Sequence, residues 1–195
     1  MRKLLLPLAL LAALPLSAAA TEISYDYVQV DYIHFEGDES ADNGRLTGSA
    51  TLGDTHFYLT GTYMPEGDMP HNNHTDDGFD MSAFGVGYYW NLADATTLHV
   101  QGTTQHDGWT GDNALRLDVG VRHAIGDNWE IGGGVAYLDH DYRYYGEQFL
   151  VNVNAQYKFN DTWGLVLSAE FGDYTDEDYD RTFDKAYTLG VRASF

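Results

Sequence analysis

Apolar and polar residues alternate strictly along the last nine positions of the chain. Tyr187, Leu189, Val191, Ala193 and Phe195 fall on one side of an extended segment, and Thr, Gly, Arg and Ser fall on the other. A period of two places alternate side chains on opposite faces of a β-strand. The pattern therefore predicts a strand with one apolar and one polar face, which ends on the last residue.

Nine further segments show the same alternation, with irregularities in 24–35 and 80–90. They cover residues 24–35, 45–53, 56–64, 80–90, 96–105, 115–122, 129–138, 149–159 and 165–171. Most are close to the length of about 9–11 residues that a tilted transmembrane strand needs. Short turns alternate with longer polar loops between them, as in an up-and-down barrel. We predict an all-β fold, a transmembrane antiparallel up-and-down β-barrel of ten strands, with eight strands as the alternative.

A secreted β-sandwich or a soluble barrel would also show alternating strands. The polar faces here mix Arg, Asn, Gln, Ser, Thr and Gly, whereas a solvated face is rich in Lys and Glu. Regular alternation of short and long connections also differs from the Greek-key order of a sandwich. Aromatic residues beside the short turns, such as Trp90, Trp129 and Trp163, are typical of a girdle at the lipid headgroups. The sequence therefore favours the membrane barrel.

Residues 1–20 have the three parts of a secretory signal peptide. Arg2 and Lys3 form a basic start, residues 4–16 are apolar, and residues 17–20 are small. Such a segment is removed on export. We predict cleavage after Ala20 and a barrel domain over residues 21–195, located in the outer membrane of a Gram-negative cell.

The chain is strongly acidic, with a formal net charge of −20 that becomes −22 once Arg2 and Lys3 leave with the signal peptide. Phosphates of nucleic acids require positive charge on their partners, so a nucleic-acid partner is excluded. The chain contains no Cys. Export therefore brings neither a disulfide framework nor a lipid-anchoring cysteine.

Charged residues within the predicted strands fall mainly on the face opposite to the apolar one. An Arg or Lys facing lipid at mid-depth would cost about 2–4 kcal/mol, so this face must be the lumenal one. Glycines at 85, 87, 120, 132 and 134 favour some water-filled space there. Whether the charges border a water path or form closed ion-pair networks stays open. The predicted lumen-lining residues are Arg45, Arg116, Asp118, Arg122, Glu130, Lys158, Glu170 and Arg192.

Most remaining carboxylates concentrate in the predicted loops 36–43, 65–78 and 173–182. Their spacing lacks the glycine and terminal glutamate of an EF-hand. We expect at most weak binding of divalent cations there, which would bridge the loops to lipopolysaccharide phosphates. His71 and His74 lie three apart without a third ligand, so no metal site and no cofactor is predicted.

Aspartate and histidine also neighbour each other near the loops, at His106-Asp107, at Asp139-His140-Asp141 and at Asp80. Ten-stranded outer-membrane proteases place such pairs at the outer rim, where they activate water. These dipeptides also arise in short polar loops by composition alone, and the chain has no nucleophile elbow or phosphate loop. We predict a protein without enzymatic activity, and a rim-located hydrolase is the lesser alternative.

Three features resemble the small outer-membrane porins called diffusible-signal-factor-regulated proteins. They are the start Ile23-Ser24-Tyr25-Asp26-Tyr27-Val28, the repeated turns before Trp129 and Trp163, and the final Phe195. The resemblance covers the whole exported chain and implies a Gram-negative outer-membrane barrel linked to signalling, motility or biofilm behaviour. It brings no catalytic residues, and the His- and Asp-rich segment 65–78 departs from it.

These observations together predict a barrel that acts as a narrow porin or as a surface-interaction or signalling-associated protein. A structural or adhesive barrel with a plugged lumen is the alternative. Its partners would be the lipid bilayer, lipopolysaccharide and, during biogenesis, the barrel-assembly machinery. We predict that this machinery recognises the apolar face of the last strand, formed by Tyr187, Leu189, Val191 and Phe195.

Overall fold

Ten antiparallel strands form a closed barrel in the computed structural model, which describes residues 23–37, 40–67, 79–107, 113–140, 147–176 and 181–195. The predicted signal peptide lies outside these residues. Each strand pairs with its neighbours in sequence, and β1 pairs with β10 to close the ring. The prediction of ten strands is confirmed. The strands are β1 (Tyr27–Gly37), β2 (Ser40–Thr51), β3 (Phe57–Gly67), β4 (Phe79–Ala93), β5 (Thr96–Asp107), β6 (Asn113–Ile125), β7 (Trp129–His140), β8 (Glu147–Lys158), β9 (Trp163–Asp176) and β10 (Arg181–Ser194).

Several strands extend further into the polar segments than the sequence predicted. The predicted first loop, residues 36–43, is largely strand, because β1 runs to Gly37 and β2 begins at Ser40. Likewise β9 continues to Asp176, within a segment predicted to be a loop. Alternation is a signal of one apolar and one polar face, and it disappears where both faces are polar. The ladder of backbone hydrogen bonds continues there all the same.

Most large apolar residues of the strands face outward around the ring. Val30 is 60% exposed and Leu115 is 60% exposed, although both lie in continuous strands. Their neighbours in sequence face inward, where Asp31 is buried and Arg116 is half-buried. Such a barrel, apolar outside and polar inside, has the pattern of a transmembrane β-barrel.

The two ends of the barrel differ. The turn end carries the connections 52–56, 94–95, 126–128 and 159–162 together with both ends of the described chain. Gly53 and Gly126 adopt positive φ angles of 60° in two of these turns, a conformation that suits glycine. The loop end carries the segments 38–39, 68–78, 108–112, 141–146 and 177–180, which lie outside the described residues. Within the described part of the chain, no helix is long and apolar enough to cross a membrane.

Aromatic side chains collect on the outer surface near the turn end. Trp90, Trp129 and Trp163 are all exposed at strand termini on this side. The Trp129 ring lies 4.9 Å from that of Tyr157, measured between centroids, so neighbouring rings contact one another along the rim. This is the position of an aromatic belt in a membrane barrel.

Candidate lumenal site

All eight residues predicted to line the lumen lie on the inward side of the strand register. Pairing of Arg116 with Leu138 and of Asp118 with Ala136 places these side chains opposite to the exposed Leu115 and Leu117. In every strand pair of the ring, paired residues lie on the same face of the barrel wall. The inward set comprises Arg45, Arg116, Asp118, Arg122, Glu130, Lys158, Glu170 and Arg192.

Arg116 connects two strands that are not neighbours. Its guanidinium Nη1 and Nη2 donate to Glu170 Oε1 and Oε2 over 3.1 and 2.6 Å, in a two-pronged pair. Its Nε and Nη2 also donate to Asp118 on its own strand over 3.0 and 2.8 Å. β7 and β8 lie between β6 and β9, and the inward residues Gly134 and Ala136 of β7 leave room. The pair therefore cuts across the inside of the barrel.

Two further ion pairs join neighbouring strands. Arg122 Nε donates to Glu130 Oε1 over 2.6 Å, and the Glu130 side chain is 2% exposed. Arg45 Nε donates to Asp31 Oδ2 over 2.9 Å, and the Asp31 carboxylate is fully buried. Bidentate or short charge-assisted bonds of this kind are the strong ones. These pairs lie along the wall and do not cross the lumen.

Arg192 is held by neutral groups. Its Nε donates to Gln29 Oε1 over 2.7 Å and its Nη1 to Gln156 Oε1 over 3.2 Å. The guanidinium also lies 4.1 Å above the centre of the Tyr27 ring, a cation–π geometry. Lys158 lies on the same side of the ring, at the end of β8. Positive charge therefore collects on the β8–β10 side of the turn end.

Space left by inward glycines is largely occupied by neighbouring side chains. At four of the five positions an added Cβ would lie within 3.0 Å of a neighbouring side-chain atom, much closer than packed atoms approach. The expectation that these glycines leave water-filled space is therefore wrong at those four positions. Thr103 lies over Gly85, Tyr58 over Gly87, His99 over Gly120 and Asn154 over Gly132.

Tyr25 lies inside the barrel, although it precedes β1. It is 4% exposed, its ring stacks on Tyr89 at 4.3 Å between centroids and lies 4.8 Å from Tyr58. Its hydroxyl makes a hydrogen bond of 2.9 Å with the Thr97 hydroxyl, and the Arg122 guanidinium lies 4.6 Å above its ring. Burial raises the pKa of the Tyr25 phenol above its usual value, so the phenol stays neutral. One hint of this role is visible in the sequence, because Tyr25 does not fit the alternation of the first strand.

Three of the Asp and His residues of the hydrolase alternative lie on the outward face of the barrel wall. His106, Asp80 and Asp139 all have outward parity in their strands. His106 makes its hydrogen bond with Asn113 Oδ1, over 3.2 Å, and not with an acid. The pair His71 and His74 lies outside the described residues. Among those described, no three His, Cys, Asp or Glu side chains come together as metal ligands.

The predicted assembly residues form an outward stripe on β10. Tyr187, Leu189 and Val191 are exposed, and Phe195 is 75% exposed at the end of the strand. The backbone N–H of Phe195 donates to the carbonyl of Asp26 over 3.1 Å, which ties the two chain ends together. The apolar stripe is therefore accessible from outside the barrel.

These features define the class of closed antiparallel barrels with an apolar exterior and a charged, hydrogen-bonded interior. Comparison with solved structures gives the same fold. A NanC porin superposes with a TM-score of 0.61 at 13% identity, and the match covers 86% of this chain and 100% of that one. A KdgM porin matches with a TM-score of 0.48 at 14% identity, over 86% and 99% of the two chains. No family model and no curated protein matches the chain.

Proposed function

We propose that this chain is a non-enzymatic barrel of the bacterial outer membrane that acts as a narrow, porin-like channel. The observation that carries the proposal is the division between faces, with exposed apolar residues outside and ion-paired residues inside. The apolar outer face suits contact with lipid, and the charged inner face suits a hydrated passage. The fold shared with the NanC porin supports the same conclusion.

The inward charges favour passage of small solutes without strong preference for anions. Ion pairs neutralise most of them, and the acidic segments 36–43, 65–78 and 173–182 would attract cations to the loop end. A ten-stranded barrel is close to the size at which side chains fill the interior, so the passage is narrow. The inward cations are Arg45, Arg116, Arg122, Lys158 and Arg192, against the anions Asp31, Asp118, Glu130 and Glu170.

Single-channel recording in planar bilayers tests the channel. We expect stepwise conductance, and we expect Arg116→Ala to increase it, because the link between β6 and β9 is lost. Cation selectivity should also rise, since Asp118 and Glu170 lose their counter-charge. Arg45→Ala is the matched control, because it removes the same charge from a pair along the wall. A bilayer that stays silent with correctly folded protein would exclude the channel.

Equal conductance of the Arg116→Ala and Arg45→Ala variants would mean that the cross-barrel pair does not narrow the passage. Folding of each variant is checked by its mobility on gels with and without heating, which separates an intact barrel from the unfolded chain. Asp118→Asn combined with Glu170→Gln and Arg116→Gln removes all three charges at nearly constant volume. This triple variant separates the effect of charge from that of width.

Deletion of Phe195 tests the proposed assembly signal. We expect most of the variant to be lost from the membrane fraction in cells, because the exposed apolar end of β10 would no longer be recognised. Refolding of the same variant in detergent should proceed normally, since the Phe195 side chain is largely exposed. Phe159→Ala, which removes another exposed aromatic at the turn end, is the control. Normal assembly of the Phe195 deletion in cells would contradict the role.

A link to diffusible-signal-factor signalling is the finer form of this proposal and rests on the sequence resemblance. Contacts with lipopolysaccharide and weak binding of divalent cations by the acidic loops belong to it as well. The alternative of a plugged structural or adhesive barrel is favoured by one observation, the N-terminal segment inside the lumen. Trimming residues 65–78 or 173–182 should abolish surface binding without loss of the barrel if the surface role is the main one.

A further inference from the structure

The N-terminal segment 23–26 crosses the barrel at the turn end. β1 begins at Tyr27, and β6 lies directly opposite β1 in the ring of ten strands. Arg122 of β6 nevertheless donates from Nη1 to the carbonyl oxygen of Ser24 over 3.0 Å. Tyr25 contacts Thr97 on β5 and Tyr89 on β4. The segment therefore turns inward from its own strand and reaches the far wall.

We infer that residues 23–26 form a plug that narrows the turn end of the lumen, and that Arg122 is the residue that holds the plug in place. This inference rests on the proposed channel function and deepens it by assigning the constriction. Ile23 and Tyr25 are both buried and pack with Tyr58 on β3 and with Ala124 on β6 at the far wall. A cluster of this size takes up cross-section that a solute would otherwise use.

The base of the plug is fixed to the near wall. The Asp26 carboxylate accepts hydrogen bonds from the Thr51 backbone N–H and hydroxyl, at 2.5 and 2.9 Å. The carbonyl of Asp26 accepts from the N–H of Phe195 over 3.1 Å. Residues 23–25 therefore extend from a fixed point. Their position depends on the contacts that they make across the lumen.

Arg122 supplies the contact that involves charge. Its Nε is taken by Glu130 and its Nη1 by the Ser24 carbonyl, while its guanidinium covers one side of the Tyr25 ring. Glu130 thereby fixes the orientation of the guanidinium that holds the plug. The plug lies on the β3–β6 side of the ring, and Arg192 lies on β10. The remaining passage runs beside Arg192.

Shortening the chain tests the plug directly. The protein is refolded without its signal peptide, either from Thr21 or from Asp26, and both forms are recorded in planar bilayers in potassium chloride. We expect the form that begins at Asp26 to conduct severalfold more, because the segment that occupies the lumen is gone. Tyr25→Ala should give an intermediate conductance. Tyr63→Ala, which removes a tyrosine from the outward face, should leave the conductance of the full form unchanged.

A second measurement reports the position of the plug without conductance. The chain has no Cys, so Ile23→Cys introduces a single thiol. We expect a membrane-impermeant maleimide to label it slowly in the folded barrel, and faster when Arg122→Gln and Glu130→Gln are added together. Asp54→Cys, in an exposed turn at the same end, should label rapidly in both backgrounds. Rapid labelling of Ile23→Cys in the otherwise unchanged barrel would overturn the plug.

The two measurements separate the plug from the channel. Equal conductance of the forms that begin at Thr21 and Asp26 overturns the plug and leaves the channel intact. Conductance by the shortened form alone supports the plug and overturns the channel function proposed for the full form. If neither form conducts, the channel function fails, and the labelling rate of Ile23→Cys alone decides whether the segment occupies the lumen.

Discussion

Glu130→Ala is expected to lower the free energy of unfolding by about 3–5 kcal/mol, because it leaves the Arg122 guanidinium buried without its counter-charge. Both side chains are largely removed from solvent, at 2% exposed for Glu130 and 11% for Arg122. The loss is measured by urea-induced unfolding in lipid vesicles, followed through the fluorescence of the tryptophans at the turn end. Arg122 would also lose the partner that orients it towards Ser24.

Glu36→Ala is the matched control, because Glu36 pairs with Lys185 over 3.6 Å at an exposed position. Exposed pairs contribute about 0–1 kcal/mol, so this variant should unfold almost like the unchanged protein. Replacing Arg122 and Glu130 together by Met should restore part of the stability lost in Glu130→Ala, since no unpaired charge remains. Equal losses in Glu36→Ala and Glu130→Ala would contradict a buried, tightly paired Glu130.

Val119→Arg is expected to destabilise the barrel by about 2–4 kcal/mol, because it places a charge on the lipid face at mid-depth. Val119 is the middle residue of β6 (Asn113–Ile125) and faces outward. The change does not touch the inward residues, so any loss arises from contact with lipid. The measurement is the same unfolding experiment in vesicles, with refolding yield as a second readout.

Leu92→Arg provides the comparison at a different depth. Leu92 is 59% exposed on the outward face near the end of β4, at the turn end. The cost of a charge falls to about 0–1 kcal/mol near the membrane interface, so this variant should be tolerated. A similar loss for Leu92→Arg and Val119→Arg would contradict the proposed membrane depth. No loss for either would argue for a barrel in water.

Most of the fold could be predicted from the alternation of apolar and polar residues, because the bilayer imposes this alternation on every strand that crosses it. It located β6 and β10 well, where Leu115, Leu117 and Val119 or Leu189 and Val191 face outward in turn. It failed beyond the apolar zone, where β2 begins at Ser40 although polar residues occupy both faces. The alternation of apolar and polar residues marks the part of each strand that faces lipid. It does not mark where the backbone hydrogen bonds of the strand begin or end.

The inward parity of the charged residues could be predicted, but their partners could not. Arg116 and Glu170 meet across the barrel only because strand tilt brings distant register positions to the same height. The two arginines of β6 have different acidic partners, since Arg122 pairs with Glu130 while Glu170 binds Arg116. Which charged residues meet depends on how far neighbouring strands are shifted along one another, and the alternation of residues carries no information on that shift.

The N-terminal plug could not be predicted either, because no local pattern marks a segment that leaves the wall. Its residues read as a ragged start of the first strand. Their aromatic and apolar character would suit either face, and the contacts of Tyr25 with Tyr58 and Tyr89 depend on the closed ring. The same ring explains why Gly87 leaves no free space, since Tyr58 lies over it.

The plug also imposes an order on folding. Its contact between Ser24 and Arg122 joins residues 98 positions apart, and Ser24 approaches the Phe195 carbonyl, 171 positions away, through its hydroxyl. Contacts of such long range form late, because the entropy of closing the intervening chain opposes them. The plug can reach its final position only after β1 and β10 have met. A barrel that is still assembling therefore has a wider inner passage than the finished one.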